Sequence, residues 1–309
     1  MPRRERLDAL ILGAGVAGLS AALWLRDFGI EHVIFEESRQ PGGQIHEIHA
    51  PILNYLLAVG WEGSRVAAGL LGDARAAELP ILVGSPVTSL QIRSRTLVYE
   101  GREYQGRTLL LATGLRRRRL RVPGESELLG HGVSHSANRD RTQFAGRPVI
   151  VVGGGTAAVE DALLCAEVGS PVTLLHRSTR FRARRDFLDR ARKESGIRIV
   201  TGARVKRITG DSRVEGVEYR VRSAARPRTI AAEGVFVRIG WEPRTDLVRG
   251  QLKLDRAGFV VAGPGGVTSA RGAFAAGDVC SPRWLSLANA AGQGANAALE
   301  IARMLGKTV

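Results

Sequence analysis

Two glycine-rich turns carry the residues of this chain that are best suited to bind phosphate groups. Their sequences are Gly-Ala-Gly-Val-Ala-Gly at 13–18 and Gly-Gly-Gly-Thr-Ala-Ala at 153–158. Each turn follows a short apolar run and precedes an apolar stretch of helical length. In that context the glycines permit a tight turn and let a pyrophosphate approach the N-terminus of a helix. Two such turns predict two dinucleotide sites, and two bound dinucleotides indicate electron transfer between them.

The elements that position the first turn can be predicted from the residues around it. A buried strand is expected at 7–12, and a helix is expected at 16–28, ending at Gly29. A second strand at 32–35 leads to Glu36, 23 residues after Gly13. A carboxylate at this distance suits the hydroxyl pair of a ribose. The alternative is that Glu36 is only an exposed strand end.

The second turn has a different residue at the corresponding ribose position. After the expected strand at 172–175 come His176, Arg177 and Ser178, with Arg182 four residues further on. No carboxylate stands there, and cationic groups accommodate a 2′-phosphate. The pattern therefore favours NADPH over NADH, unless Arg177 and Arg182 are simply two of many surface arginines.

Further short motifs follow the two turns in an order that extends along nearly the whole chain. They are Pro-Gly-Gly-Gln at 41–44, Asn-Tyr at 54–55, Leu-Ala-Thr-Gly at 111–114, Phe-Ala-Ala-Gly-Asp-Val at 274–279, and an apolar helix expected at 286–305. In this order and spacing the chain resembles the low-molecular-weight thioredoxin reductase-like flavoproteins. The resemblance implies FAD at the first turn and supports NADPH at the second.

The resemblance also implies a domain organisation. It predicts an α/β fold with two Rossmann-like, three-layer nucleotide-binding domains, the NADPH domain being inserted in the FAD domain. The FAD domain would comprise residues 1–115 and 246–309, and the NADPH domain residues 116–245. A segment at 235–245, similar to the family's returning crossover, supports the second boundary.

The turns and the resemblance together give a set of candidate binding residues. FAD is expected to contact Gly13, Gly15, Gly18, Glu36, Gly43, Gln44, Asn54, Thr113, Gly277, Asp278, Ser286 and Leu287. NADPH is expected to contact Gly153, Gly155, Thr156, Ala158, His176, Arg177 and Arg182. Leu-Ser-Leu at 285–287 replaces the family's Arg-Gln-Ala, so backbone N–H groups would serve the flavin there.

The redox motif of thioredoxin reductases is absent from the sequence. Where the family has Cys-x-x-Cys-Asp, this chain has Ser136, Arg139 and Asp140. Serine cannot form a disulfide, and arginine can neither donate nor accept electrons. The two cysteines, Cys165 and Cys280, lie far apart and outside any Cys-x-x-Cys. The sequence therefore predicts a flavoprotein that lacks the dithiol relay, and it assigns no catalytic side chain.

The predicted activity is that of an NAD(P)H-dependent FAD oxidoreductase without thioredoxin reductase activity. It would pass electrons from the flavin directly to a ferredoxin- or flavodoxin-type protein or to a small molecule such as a quinone. Two alternatives remain at this point. The chain is a disulfide reductase that uses cysteines of its acceptor, or it is a non-catalytic flavin- or nucleotide-binding protein.

The charge of the chain bears on its partners. The net charge is +15, and only four of the 45 basic residues are lysine. Arginine-biased codon usage is one explanation, and attraction of nucleotides or an acidic electron-transfer protein is the other. An arginine-rich segment at 116–121 is a candidate docking patch, a candidate site for the phosphates of NADPH, or a solvated hinge. No nucleic-acid-binding motif is present, and the resemblance implies a homodimer.

The compartment is predicted from the cysteines and the N-terminus. Two distant cysteines exclude a disulfide scaffold and a cysteine zinc site, and they suit the reducing cytoplasm. Arg3, Arg4 and Arg6, followed by an apolar run to Leu25, imitate a secretory signal. Because that run carries the glycines of the first turn, it is interpreted as the first strand and helix of the fold. No other stretch is apolar enough to span a membrane, and no metal is expected.

Overall fold

A computed structural model describes residues 5–222, 224 and 226–308. Arg3 and Arg4 lie outside the described residues, as do residues 1–4 and 309 of the predicted domain ranges. The described residues divide into two compact units. One runs up to Arg116 and resumes at Glu242, and the other is Arg117–Trp241. The assignment of FAD and NADPH to these units stays a prediction.

The elements follow one another in three stretches of the chain. The first unit begins with β1 (Glu5–Leu12), α1 (Val16–Asp27), β2 (His32–Glu36), α2 (Gly63–Ala76), β3 (Ile81–Val83), β4 (Val87–Gln91), β5 (Thr96–Tyr99), β6 (Arg102–Leu111) and β7 (Leu115–Arg117). The second unit contains β8 (Val133–Ser134), α3 (Ala137–Asp140), β9 (Val149–Gly153), α4 (Thr156–Glu167), β10 (Val172–His176), α5 (Arg185–Lys193), β11 (Ile197–Thr201), β12 (Ala203–Thr209), β13 (Gly216–Val221), β14 (Arg228–Ala231) and β15 (Gly234–Arg238). The chain returns through β16 (Trp241–Pro243), β17 (Ala273–Ala275) and α6 (Leu287–Met304).

The first unit is built on a sheet with the strand order β3-β2-β1-β6-β5-β4, in which β17 also pairs with β6. Strands β1, β2, β3, β6 and β17 run parallel to one another, and β4 and β5 add an antiparallel edge that begins at β6. The parallel strands are apolar on both faces, as strands covered on both sides must be. Ile34 and Leu110 pack under α1 and α6, whereas Phe35 and Leu111 pack with apolar residues of β4 and β5 on the opposite face.

The second unit has three layers. Its parallel sheet has the order β11-β10-β9-β15-β8, and a separate antiparallel sheet has the order β12-β13-β14. Val151 and Phe236 pack with residues of α4 and α5 on one face. Val235 packs with Val217 and Tyr219 of the antiparallel sheet on the other. The predicted α/β class, with two Rossmann-like arrangements of strand, turn and helix, is confirmed.

The chain passes between the two units twice, through β7 and β16. These two strands pair with each other in a short two-stranded sheet. Across residues 5–222, 224 and 226–308, no helix combines the length and apolar character that a membrane crossing demands.

Candidate functional site

The first glycine turn has the shape of a phosphate cradle. Gly13 adopts φ 100°, and a Cβ there would clash with the carbonyl oxygen of Ala112. A Cβ on Gly18 would clash with the carbonyl of Gly13, so α1 packs directly against the turn. A Cβ on Gly15 would meet no atom within 4 Å, and no side chain caps the helix that Gly15 begins. The unpaired N–H groups of α1 therefore face open space, where a pyrophosphate fits.

Glu36 stands at the end of β2 beside this turn. It is only 9% exposed, and its carboxylate accepts hydrogen bonds from the backbone N–H groups of Ala14 (2.8 Å) and Ser38 (2.9 Å). It also lines a cleft of about 410 Å³ together with Gly13 and Thr113. Because each carboxylate oxygen can accept more than one hydrogen bond, the fixed group retains acceptor capacity for a ribose.

Gln44 and Asp278 are brought together although 234 residues separate them. The Gln44 Nε2 donates to Asp278 Oδ2 at 3.2 Å. The other oxygen, Oδ1, is buried and has no hydrogen-bond partner among the described residues. Burial also raises the pKa of Asp278 above its ordinary value. An unpaired buried acceptor calls for a donor from a ligand, and a polyhydroxyl chain such as the ribityl of FAD supplies one.

Three of the other predicted flavin residues make contacts that fix the segments around the cradle. A Cβ on Gly43 would lie 3.3 Å from the Cα of Gly15. The Thr113 hydroxyl donates to the carbonyl of Arg244 at 2.8 Å. The Gly277 N–H donates to the side-chain oxygen of Gln293 at 2.8 Å. These contacts hold the segments around the cradle in place.

The remaining predicted flavin residues lie in two further segments. Asn54 is exposed on the irregular segment between Ile52 and Trp61, which are joined by an isolated bridge. Ser286 is the N-cap of α6, and its hydroxyl accepts from the Asn289 N–H at 3.2 Å. Leu287 is the first residue of that helix. Their contacts with a flavin stay predictions.

The second glycine turn repeats the construction of the first. A Cβ on Gly153 would clash with the carbonyl of Arg238 and lie 2.6 Å from the Cβ of buried Ala158. Gly155 again has no atom within 4 Å of its missing Cβ and begins α4 without a side-chain cap. Thr156 follows, and its hydroxyl accepts from the Arg184 N–H at 3.1 Å. The free helix N-terminus suits a second pyrophosphate.

The segment after β10 is held against this turn. The ring of His176 is buried beneath Gly154, its Nε2 lies 3.0 Å from the Arg180 carbonyl, and it packs against Phe181 at 4.7 Å between ring centroids. The Arg182 N–H donates to the Gly154 carbonyl at 2.8 Å, and its side chain is exposed. His176 thus supports the turn from below, whereas Arg177 and Arg182 are free to face a ligand.

A second cavity lies beside Arg177. It has a volume of about 510 Å³ and is lined by Arg177, Gly202, Arg204, Arg220 and Arg222. The last three arginines come from β12, β13 and the residue after β13, and none of them was among the predicted site residues. The chain holds 41 arginines, and no local motif distinguishes these three. Only the pairing of β12 with β13 brings them together.

The arginine at the second cysteine position is paired with the neighbouring acid. Arg139 donates from Nε to Asp140 Oδ1 and from Nη2 to Asp140 Oδ2, both at 2.8 Å. Asp140 Oδ2 also accepts from the Ser134 hydroxyl at 2.5 Å. Ser136 is buried, and its N–H donates to Ser134 Oγ at 3.0 Å. Two charge-assisted hydrogen bonds therefore hold Arg139 against Asp140 in this segment.

A buried ion pair supports the same segment from inside the second unit. Asp161 accepts from the Ala137 N–H at 3.1 Å, and Arg238 donates to the His135 carbonyl at 2.8 Å. The Arg238 Nε lies 3.1 Å from Asp161 Oδ2, although its N–H is not directed at that oxygen. Burial dominates the nearby positive charge and raises the pKa of Asp161 to about 6. No local sequence signal predicts this pair, because its members are 77 residues apart.

Neither cysteine has the surroundings of a redox group. Both are free. Burial raises the pKa of Cys165 to about 12 and that of Cys280 to about 11. The Cys280 thiol points to the Gly277 carbonyl at 3.4 Å. Reactive cysteines need a lowered pKa, so both groups behave as structural thiols.

The arginine-rich segment is partly neutralised. Arg116 donates to Glu242 at 2.8 Å and to Asp246 at 2.5 Å, and Arg117 stacks on Trp241 at 4.4 Å. Within the described parts of the chain, no group of three or more His, Cys, Asp or Glu residues could hold a metal ion.

Comparison with known proteins places these features in a family. Residues 7–295 match the family described as pyridine nucleotide-disulphide oxidoreductase. The thioredoxin reductase of Mycolicibacterium smegmatis is 35% identical over 304 residues, which cover 96% of each chain. A bifunctional thioredoxin reductase/thioredoxin of Mycobacterium leprae is 34% identical, and the match covers 96% of this chain and 66% of that longer protein.

A solved structure shows the same fold. The thioredoxin reductase of Lactococcus lactis superimposes with a TM-score of 0.83 at 28% identity, covering 97% of this chain and 99% of that one. The predicted resemblance is confirmed. FAD and a nicotinamide nucleotide are confirmed as the cofactors, because the matched family consists of FAD-binding, NAD(P)H-dependent oxidoreductases.

Proposed function

We propose a function that proceeds from one fact: the chain belongs to the pyridine nucleotide-disulphide oxidoreductase family. Within it, the chain is a thioredoxin reductase-like FAD oxidoreductase. It takes reducing equivalents from NADPH and passes them from FAD to an external acceptor, with no dithiol of its own in between. Bound FAD supplies the redox chemistry, because a flavin accepts a hydride and releases electrons singly or in pairs.

The observation that carries this proposal is the state of the segment 136–140. A dithiol relay needs two thiols that approach each other, and this segment offers a buried hydroxyl and a guanidinium. Arg139 is engaged with both oxygens of Asp140, so the acid is paired rather than poised to move a proton. Cys165 and Cys280 lie in different units, and burial raises the pKa of both thiols.

The roles of the binding residues follow from their positions. Gly13, Gly15 and Gly18 would form the pyrophosphate cradle for FAD, and Glu36 would orient its ribose. Asp278, aligned by Gln44, would accept a hydrogen bond from the ribityl chain. The second cradle, with Gly153 and Gly155, would hold the nicotinamide nucleotide.

Selection of NADPH over NADH is proposed from the charges at the end of β10. Arg177 and Arg182 are exposed there, and the sequence of residues 176–182 contains no carboxylate that would repel a 2′-phosphate. The dianionic 2′-phosphate gains charge-assisted hydrogen bonds that NADH cannot make.

The proposal also covers the electron acceptor, the compartment and the oligomeric state of the protein. A chain with a net charge of +15 attracts an acidic ferredoxin- or flavodoxin-type protein, although a quinone-sized acceptor needs no such field. Free thiols suit the cytoplasm. A homodimer is proposed because four large apolar residues of one short segment of the first unit are exposed, namely Leu53, Leu56, Leu57 and Val59.

Anaerobic titration with NADPH tests the absence of an internal dithiol. The FAD-loaded protein should take up about one NADPH per flavin, because the flavin is the only two-electron centre that the proposal allows. Cys165→Ser and Cys280→Ser variants are the matched controls and should show the same stoichiometry. If the wild type takes up a second equivalent of NADPH per flavin and either cysteine variant does not, the proposal is wrong.

An acceptor screen separates the alternatives. Reduction of a ferredoxin, a flavodoxin or a quinone without thiol release from thioredoxin or small disulfides supports the proposal. NADPH-dependent thiol release would favour a disulfide reductase that uses the acceptor's cysteines. A flavin that NADPH does not bleach would favour a non-catalytic binding protein.

A further inference from the structure

Four guanidinium groups converge on the cavity beside β10 without a compensating acid. Arg177, Arg204, Arg220 and Arg222 line it, and among the described residues none of them forms an ion pair. All four side chains are exposed, so their charges are hydrated rather than buried. The positive charges around this cavity of about 510 Å³ suit an anion with more than one negative charge.

The pairing of β12 with β13 brings like charges together, which lowers the stability of the fold. Arg204 stands directly opposite Arg220 in the antiparallel register, and Ala203 stands opposite Val221. Arg222, two residues after Arg220, continues on the same face, and its N–H donates to the Gly202 carbonyl at 3.0 Å. Like charges directly opposite each other destabilise a strand pair. Glu218 could relieve the repulsion, but it stands opposite Arg207 instead.

The cavity lies at the edge of the parallel sheet where the second glycine turn also lies. Arg177 follows the end of β10, Gly202 follows the end of β11, and the turn follows the end of β9. The Gly202 N–H approaches the Ser178 carbonyl at 3.5 Å. In such a sheet, the pyrophosphate sits after the first strand and the adenosine ribose sits at the end of the next one. The arginine cavity therefore adjoins the place of the ribose 2′ position.

We propose that Arg204 and Arg222, with Arg177, form the pocket for the 2′-phosphate of NADPH and determine nucleotide selection. Ser178 supplies no charge in this region, and the hairpin of β12 and β13 supplies it from another part of the chain. The dianionic phosphate monoester offsets the repulsion between the paired arginines. This inference rests on the proposed binding of NADPH by the second unit.

Binding calorimetry on the FAD-loaded full chain tests the inference with adenosine 2′,5′-bisphosphate and adenosine 5′-monophosphate. Arg204→Gln and Arg222→Gln should each weaken binding of the bisphosphate about 10-fold, because each removes one charge-assisted contact to the phosphate. Binding of the monophosphate should change less than about 2-fold, since it lacks the 2′-phosphate. Inorganic phosphate should compete with the bisphosphate in the wild type more strongly than in either variant.

Arg213→Gln is the matched control. Arg213 lies in the turn of the same hairpin, at the end away from the cavity, so its loss removes one charge without removing a cavity group. Should Arg204→Gln and Arg222→Gln bind the bisphosphate as Arg213→Gln does, the inference is wrong. It is equally wrong if they keep that affinity but slow electron delivery to an acidic protein, because the cavity would then be a docking surface.

The failure of this inference can be distinguished from failure of the proposed function. Normal flavin bleaching by NADPH with unchanged bisphosphate affinity in both variants overturns the inference alone. A flavin that NADPH fails to bleach, in a protein whose bisphosphate affinity falls in both variants, overturns the proposed activity while supporting the pocket.

Discussion

Asp161 is a carboxylate whose ionisation opposes folding at neutral pH. Burial raises its pKa from 3.8 to about 6 despite the nearby charge of Arg238. Between these two values the folded state binds more protons than the unfolded state, so the group makes the protein less stable as the pH rises. A shift of this size corresponds to about 3 kcal/mol. This destabilisation of the folded state is absent below pH 3.8 and complete above about pH 6.

An Asp161→Asn variant should lose this pH dependence. The free energy of unfolding of the wild type should fall, relative to the variant, by up to about 3 kcal/mol between pH 3.8 and about 6. Denaturant unfolding at several pH values measures the difference. Glu160→Gln removes a neighbouring negative charge that contributes less than burial to the raised pKa of Asp161, so it should reduce the wild-type slope much less than Asp161→Asn does. If the free energy of unfolding depends on pH in the same way in the wild type and in Asp161→Asn, the raised pKa does not belong to Asp161.

The two cysteines should resist alkylation in the folded protein. With pKa values of about 12 and 11, Cys165 and Cys280 are almost entirely protonated at neutral pH, and only the thiolate reacts. Iodoacetamide should therefore modify the native chain at least about 10-fold more slowly than the chain unfolded in guanidinium. Mass spectrometry follows the reaction. Rapid labelling of native Cys280 would show an activated thiol.

At the residue scale, the sequence revealed groups that belong to local motifs. Glu36, Gln44 and Asp278 could be selected from the short patterns around them, and the last two do meet. Arg204 and Arg222 could not be selected, because their proximity depends on the register of one strand pair. The pairing of Arg139 with Asp140 was equally hidden, since two adjacent residues can point in different directions.

At the scale of elements, the two glycine turns differ in what they should bind although their shapes match. Gly15→Ala and Gly155→Ala place a methyl group where no protein atom lies within 4 Å, and both backbones have ordinary φ angles, −78° and −94°. Each variant should fold. Gly15→Ala should weaken FAD binding about 10-fold or more, and Gly155→Ala should weaken NADPH binding while FAD stays bound. Fluorescence and calorimetric titrations measure the two affinities.

Gly18→Ala is the contrasting variant for this pair. Its methyl group would clash with the Gly13 carbonyl, so α1 could not pack against the turn. We expect a loss of stability as well as of FAD binding, visible in thermal unfolding. If Gly15→Ala lost NADPH affinity instead of FAD affinity, the assignment of the two nucleotides would be reversed.

The sequence predicted elements where local signals mark both ends. The helix expected at 16–28 is observed at Val16–Asp27, and Gly29, with φ 61°, follows it. The strand expected at 172–175 extends one residue further, to His176. No local signal in the sequence located the antiparallel sheet of β12, β13 and β14 within the predicted three-layer domain. Its strands carry exposed arginines that obscure the alternation of apolar residues.

For the whole molecule, the positive charge should control encounters with an acidic acceptor. Steered association between opposite charges weakens as salt screens them. Electron delivery to a ferredoxin-type protein should therefore slow at least about 10-fold between low salt and about 0.5 M salt. Delivery to a neutral quinone is the control and should change little. Equal salt dependence with both acceptors would indicate that the charge does not guide docking.

The ends of the second unit lie side by side. The Arg118 N–H donates to the Gly240 carbonyl at 3.0 Å, and within the first unit the Arg244 N–H donates to the Gly114 carbonyl at 3.1 Å. A segment whose ends meet can be removed or replaced without stretching the chain that receives it. Residues 117–241 are therefore a transplantable cassette. A homologous cassette with a different nucleotide preference could be spliced in at these two points, and the flavin-binding chain would keep its path.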